Sequence, residues 1–344
     1  MPTTLHTRAP TRIDLAGGTL DIWPVYLLLE QAVTVNVAID AYAEAHIEQT
    51  GTRWRVKVED RGQEIECSTP EELARQPGAE IAGTLLGFFA PDQPLSITTH
   101  SKAPPQSGLG ASSSLGIAIA GGLNALTGAG YQPSDLIEIV KNTEARILRT
   151  MTGSQDHYPP VYGGACCLWW GTGRVRREPL PLDGPRFEQR FLLAYTHQPH
   201  RSGANNWEVI KRFLDGDAST RQAFEAIGSI AVRMREALVH QDLDRMAELI
   251  GEEWEARRRL APAVSSPQLE RILDSAIEAG ADSGKACGAG GGGCLLVAAR
   301  PDRRQPVEQA IRAAGGSLVA FHVDTQGLQT NSTDSTDSTD STGG

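Results

Sequence analysis

The chain is poor in cysteine and aromatic residues and has no surplus of positive charge. Five cysteines in 344 residues, Cys67, Cys166, Cys167, Cys287 and Cys294, make no even-numbered disulfide framework. No CxxC pair occurs among them, so the usual signature of a structural zinc site is missing. Reduced thiols in a cytoplasmic protein are the simplest reading. Lys and Arg total 32 against 42 Asp and Glu, a net charge of −10, which speaks against a nucleic-acid partner. No apolar run approaches the ~20 residues that cross a bilayer, and Met1 to Pro10 lacks the apolar centre of a secretory signal, so no membrane partner is expected. Nothing in the sequence speaks to oligomeric state. The GxxxxGK[ST] phosphate loop is absent. Gly288 to Gly293 spells GxGxxG, but an apolar run rather than a helix follows it, late in the chain, which excludes a dinucleotide fingerprint.

What is present is enough apolar residue, 40%, for one large or two medium domains. From His6 to His100 short strand-like runs dominate: Val33 to Ile39, Ala43 to Gln49, Trp54 to Glu59 and Leu95 to His100. A helical interval, Gly78 to Phe89, interrupts them. Ser112 to Thr152 has helical periodicity, followed by strand-like runs at Gly164 to Trp170 and Arg190 to Thr196. Helices are predicted near Ala204 to Leu214, Thr220 to Val239, Leu243 to Arg258 and Pro267 to Glu278. A strand, a helix and a strand then run over Gly293 to Ala298, Arg304 to Ala314 and Ser317 to Val323. Strands and helices are partly segregated, which favours α+β. Residues 329–344, ending in a polar Ser/Thr/Asp repeat, read as a disordered tail.

The segment PPQSGLGASSSLG, from Pro104, is the most informative. Prolines end a strand, Gly108 and Gly110 allow a close backbone turn, and Ser112, Ser113 and Ser114 fall where N-cap residues belong. The amides and dipole of the helix start would then meet an anion. An ordinary capped turn remains the competing reading.

Three segments together resemble a family. APTRIDLAGGTLDIWP from Ala9, PPQSGLGASSS from Pro104 and KACGAGGGGC from Lys285 are similar, in order and spacing, to the motifs of the GHMP kinases (galactokinase, homoserine kinase, mevalonate kinase, phosphomevalonate kinase). The resemblance spans nearly all of residues 5 to 325. It implies a two-domain α+β fold, with a ribosomal protein S5 domain 2-like N-terminal half over 1–185 and a ferredoxin-like C-terminal half over 186–328. RIDLAGGTLD, GSQDHYPPVYGG from Gly153 and SGANNWEVIK from Ser202 look most like sugar kinases of the heptose 7-phosphate kinase type, which act at the anomeric oxygen.

The resemblance implies ATP and Mg²⁺, with the phosphates held by Pro105, Ser107, Gly108, Leu109, Gly110, Ala111, Ser112 and Ser113. Ser112 and Glu144 would ligate magnesium, which prefers oxygen and few protein groups. A solvated helix-face carboxylate is the plain alternative for Glu144. Asp156 would accept the acceptor hydroxyl's proton, with Arg12 beside it keeping it ionised. Asp21 would bind ring hydroxyls, with Gly17, Gly18 and Thr19 bringing backbone near the sugar. Gly290 and Gly291, in the third glycine-rich turn, would also approach the ligand site. Tyr158 walls the sugar or belongs to the core. His200, Arg201 and Ser202 form a small polar group suited to a phosphate or sugar hydroxyl. The competing functions are a mevalonate- or homoserine-type kinase acting on an acyclic alcohol, and a non-catalytic sugar- or nucleotide-binding member.

Overall fold

The computed structural model describes residues 4–49, 51–198 and 202–333, with backbone alone at 202–205. His200 and Arg201 therefore lie outside the described residues, as does the chain beyond Thr333. The strands are β1 (Thr4–Ala16), β2 (Ala32–Gln49), β3 (Trp54–Val58), β4 (Gln63–Cys67), β5 (Leu95–Ser101), β6 (Ala165–Trp170), β7 (Arg176–Leu180), β8 (Phe191–Tyr195), β9 (Ser283–Ala286), β10 (Cys294–Ala298), β11 (Ser317–Val319) and β12 (Gln329–Thr333). The helices are α1 (Pro70–Leu73), α2 (Glu80–Phe89), α3 (Ala111–Thr127), α4 (Pro133–Leu148), α5 (Tyr158–Tyr162), α6 (Gly184–Arg190), α7 (Ser202–Leu214), α8 (Ala218–Val239), α9 (Leu243–Arg258), α10 (Pro267–Glu278) and α11 (Arg304–Ala313).

The fold is α+β, built on two sheets. The first runs β12-β1-β2-β5-β3-β4, with β6 pairing β2 and β7 pairing β6. The second runs β11-β8-β10-β9 and is antiparallel throughout. The two runs expected at Val33 to Ile39 and Ala43 to Gln49 are one continuous strand, β2. Its first half pairs β6 and its second half pairs β5, while β1 follows it along the other edge. Helix α8 lies against β2, and its Gly228 comes so close to the chain before that strand that a Cβ would stand 2.5 Å from the Gln31 carbonyl oxygen.

The motif-bearing segment from Ala9 is the second half of β1. It is buried without alternation from Ala9 to Ala16, which hides it from a period-two reading. Gln329 to Thr333 corrects the expected tail. These polar residues form β12, antiparallel to β1, because an open sheet edge offers backbone partners that composition does not reveal. The first sheet therefore draws its strands from 4–180 and from 329–333, and the second from 191–319. All five cysteines are free and buried. Among the described residues no helix is long and apolar enough to cross a membrane.

Candidate active site

The loop from Pro104 joins β5 to α3 and turns on three left-handed residues, Gln106, Gly108 and Gly110, with φ of 53°, 74° and 75°. Gly110, rather than a serine, is the N-cap of α3. The serines expected as caps sit within the first turn, because left-handed Gly110 has already redirected the chain. The amides of Ala111 to Ser113 precede the first helical bond, from Ser114 to Gly110, and so have no helical partner. The serine hydroxyls turn sideways. Ser112 Oγ donates to Glu144 Oε1 at 2.7 Å, Ser113 Oγ to Glu144 Oε2 at 2.8 Å and Ser114 Oγ to the Pro10 carbonyl at 2.8 Å. Leu109 departs from expectation: it is buried in the core, and its carbonyl accepts the Arg12 amide at 3.0 Å.

A seam of bare backbone holds this loop against the glycine-rich turn of the second half. A Cβ on Gly108 would come within 2.5 Å of the Cys287 carbonyl oxygen, and one on Gly293 within 2.6 Å of the Ser107 oxygen. The Cys294 amide donates to Ser107 O at 2.7 Å. Only glycine permits that approach at positive φ.

Glu144, on α4, is buried rather than a solvated helix-face carboxylate. The fully buried His157 places Nε2 2.9 Å from Glu144 Oε2, while its Nδ1 stands 3.2 Å from the Ser154 carbonyl oxygen. Burial by itself disfavours ionisation of Glu144, but His157 and the two serine hydroxyls outweigh it and lower its pKa. Burial likewise opposes the imidazolium of His157, and the Glu144 carboxylate reverses the balance, raising its pKa. No sequence spacing pairs residue 157 with residue 144; only the fold reveals the contact.

Arg12, on β1, reaches Asp156 in the 3-10 turn Gln155–His157. Its Nε and Nη2 donate to Asp156 Oδ1 at 2.9 and 2.6 Å, and its Nη1 donates to the Gly108 carbonyl. One guanidinium thus joins the carboxylate to the loop from Pro104. Burial works against its charge, but Asp156 and Asp14 raise its pKa. Asp156 Oδ2 is left outside the Arg12 bonds, on a half-buried side chain.

Asp21 is 1% exposed. Its Oδ2 accepts the Ser154 and Gln155 amides at 2.6 and 2.9 Å, and its Oδ1 has no hydrogen-bond partner. Burial, offset in part by the Gln155 amide, pushes its pKa up to about 6. Arg12, Thr19, Asp21, Pro105, Ser107, Gly108, Gly110, Ala111, Ser112, Ser113, Glu144 and Asp156 all line one cleft of about 680 Å³. Its lining also includes the apolar side chains of Val56, Val58, Ile81, Ala103, Leu115 and Ile119. A second cavity, of about 840 Å³, shares Met151 and Thr152 with the cleft and is lined by Trp23, Tyr26, Trp207, Lys141 and Arg149.

Gly17, Gly18, Gly290 and Gly291 do not line the cleft. A Cβ on Gly17 would meet the Val33 oxygen at 1.9 Å, and the Gly18 carbonyl accepts from Arg257 Nη2 at 3.0 Å. Gly290 and Gly291 pack on Val264, whose carbonyl accepts the Gly291 amide at 2.6 Å. These glycines are taken up by internal packing, Gly18 among the side chains of Asp14, Arg257 and Gln155, and Gly288 and Ala289 line the cleft instead. Tyr158 is buried edge-on against Trp170 and lines neither cavity.

Beneath the cleft lies a charged cluster that the sequence did not disclose. Arg257 Nε donates to Glu253 at 2.9 Å, and Lys285 Nζ stands 3.2 Å from Glu253 Oε2. Asp14 Oδ2 is 3.5 Å from both cations. All four groups are buried. Arg257 also donates to Thr19 Oγ1 and the Gly288 carbonyl, each at 3.3 Å, so it ties the first motif to the third. Burial opposes ionisation of Glu253, and Arg257 and Lys285 overcome that and lower its pKa. The i,i+4 spacing of Glu253 and Arg257 was a visible signal, but it is also the commonest pattern of a solvated helix face.

Residues 78–164 match the GHMP kinases N terminal domain family, and residues 234–317 match the GHMP kinases C terminal family. With both domains, the motif loops and the two-sheet fold in place, the chain belongs to the GHMP kinases. Within that family it is 27% identical over 337 residues to a D-glycero-alpha-D-manno-heptose 7-phosphate kinase of Campylobacter jejuni, covering 95% of this chain and 98% of that protein. It is 24% identical over 321 residues to a bifunctional fucokinase/GDP-fucose pyrophosphorylase of Arabidopsis thaliana, covering 87% of this chain and 30% of that protein. The fold matches the crystal structure of a putative sugar kinase from Campylobacter jejuni with a TM-score of 0.77 at 24% identity, covering 96% of this chain and 98% of that one.

Proposed function

We propose that this chain transfers the γ-phosphoryl group of ATP to a hydroxyl of a sugar or sugar phosphate, at the anomeric oxygen. The reading rests most on one observation: a single arginine, Arg12, joins the carboxylate of Asp156 to the backbone of the phosphate loop. Phosphoryl transfer needs neutralised phosphates and an aligned hydroxyl, and that contact fixes the distance between the two.

In this reading the amides at the start of α3, which have no helical partner, take the β- and γ-phosphates, and the cleft's apolar side chains take the adenine ring. The acceptor oxygen forms its bond to Pγ as the bond to the departing ADP breaks. Its proton passes to Asp156 Oδ2, the oxygen not occupied by Arg12, and leaves to solvent from that half-buried side chain. Arg12 holds the carboxylate in place with two hydrogen bonds and stabilises charge on the group in flight. Ser112 Oγ and Glu144 Oε1, 2.7 Å apart at the cleft wall, are hard oxygen donors that fit Mg²⁺. The bound ion would neutralise phosphate charge. Ser113 and His157 hold the other Glu144 oxygen and so orient the carboxylate.

Asp21 supports a polyhydroxylated acceptor, because its free Oδ1 is a buried acceptor that awaits a hydroxyl donor. The adjoining cavity extends the acceptor site. Trp23 and Trp207, 59% and 50% exposed, offer flat faces for a sugar, and Lys141 and Arg149 offer charge for a phosphate at its remote end. The test is ADP release over a panel of free sugars, their phosphates, mevalonate and homoserine. Turnover of a sugar phosphate or sugar, lowered about 10²- to 10⁴-fold in Asp156→Asn, is expected. Turnover of mevalonate alone, or nucleotide binding without turnover of any acceptor, overturns the reading.

A further inference from the structure

The outer face of the first sheet carries a group of side chains that phosphoryl transfer does not use. β1 and β2 are antiparallel there, and His6 is the register partner of His46. The two imidazoles stack with centroids 4.2 Å apart and planes inclined by 13°. Glu44 lies two residues before His46 on β2, so its side chain projects from the same face. Its Oε2 is 3.2 Å from His6 Nε2. The ligand atoms of His6, Glu44 and His46 all lie within 4.8 Å of one another. We propose that His6, His46 and Glu44 form a binding site for a divalent transition-metal ion of the zinc class, separate from the magnesium site of the cleft.

The chemistry of the three donors favours that class. Two imidazole nitrogens and one carboxylate oxygen suit zinc, nickel or copper, whereas magnesium and calcium seek oxygen alone. A tetrahedral ion with bonds of ~2.0–2.1 Å separates its ligand atoms by about 3.4 Å. The 3.2 Å between His6 Nε2 and Glu44 Oε2 already approximates one edge of that tetrahedron. His46 needs only a ring rotation to supply the third corner, since it is exposed. Lys102 Nζ holds the other oxygen, Glu44 Oε1, at 3.4 Å, which leaves Oε2 to act as a monodentate ligand. Metal ligation requires neutral imidazole. His100 on β5 is the register partner of Glu44 and so stands on the same face, one strand over. β1 and β2 are central strands of a wide sheet, so the donors are pre-positioned by backbone pairing rather than gathered on binding.

The test uses the full-length chain, stripped with a chelator and kept in excess magnesium so that the cleft site is occupied. Zinc chloride is titrated by calorimetry and by competition with a chromophoric zinc indicator. One zinc per chain, saturating in the micromolar range, is expected. His46→Ala and Glu44→Gln should each weaken it at least about tenfold, the loss that removing even an outer-shell partner causes. These exposed or half-exposed positions are remote from the core, and unchanged circular dichroism and melting temperature without zinc verify folding. Zinc should raise the melting temperature of the wild type but not of His6→Ala/His46→Ala. Absence of saturable zinc binding, or binding equally tight in the double variant, overturns the proposal.

Discussion

Asp21→Asn tests the proposed acceptor site without measuring catalysis. In the folded protein Asp21 is a buried carboxyl whose pKa, ordinarily 3.8, is pushed up to about 6 mainly by burial. The folded state therefore holds a proton that the unfolded chain releases over that interval. Stability from this group is fully present below pH 3.8 and is lost as pH rises towards 6. Above that range the wild type carries a constant penalty of about 3 kcal/mol, at ~1.4 kcal/mol per pH unit. Asparagine is the neutral analogue, and its oxygen can keep both the Ser154 and Gln155 amide bonds. Asp21→Asn should thus match the wild type near pH 4 and exceed it by up to about 3 kcal/mol at pH 8. For a chain of this length that is about 3 to 6 °C in melting temperature. Denaturant titrations of both proteins across pH 4 to 8 measure the difference. The same variant should bind a sugar acceptor more weakly, since the charged oxygen held for its hydroxyl is gone. A difference that stays flat between pH 4 and 6, or a variant less stable than wild type at pH 8, refutes the reasoning.

Further predictions concern other parts of the site. Asp156→Asn should lower kcat by about 10²- to 10⁴-fold while nucleotide affinity, read by calorimetry with ADP, stays within a few fold. Gly108→Ala places a Cβ 2.5 Å from the Cys287 oxygen at a φ of 74°, so it should destabilise the chain by about 1–3 kcal/mol in thermal unfolding and weaken ATP binding together. Arg257→Met leaves Glu253 and Asp14 buried with Lys285 as their one cation within the cluster, and should lose about 3–5 kcal/mol. Adding Glu253→Gln should recover part of that loss, and a double variant no more stable than the single one would count against the charge-pairing account.

How far the sequence foretold the site depended on whether a residue's partner was implied by its own neighbours. The turn from Pro104 into α3 was legible because two glycines and three serines between a strand and a helix restrict what the backbone can do. Arg12, Glu144 and Asp156 were singled out through family resemblance, and their mutual distances came only from the fold. His157 is adjacent to Asp156 in the chain, yet nothing in GSQDHY points it at Glu144. The i,i+4 spacing of Glu253 and Arg257 carries no sign of burial, because burial depends on what lies across the gap, here Asp14 and Lys285 from two other segments. Gly17, Gly18, Gly290 and Gly291 were read as ligand-facing, since glycine allows close approach equally to a ligand or to another strand. The structure gives them the second role. β12 was invisible for a different reason: pairing with an open edge needs only backbone, and a polar composition says nothing about it.

The seam between Gly108 and Cys287, and between Gly293 and Ser107, has a practical consequence for anyone exchanging parts among related enzymes. Neither loop can accept a side chain unless the other retreats, so each is shaped by a neighbour some 180 positions away. A hybrid that imports the nucleotide loop from one parent and keeps the late glycine turn of the other inherits mismatched halves of one joint. Crossover points should be chosen so that both loops travel together, whatever acceptor pocket is grafted around them.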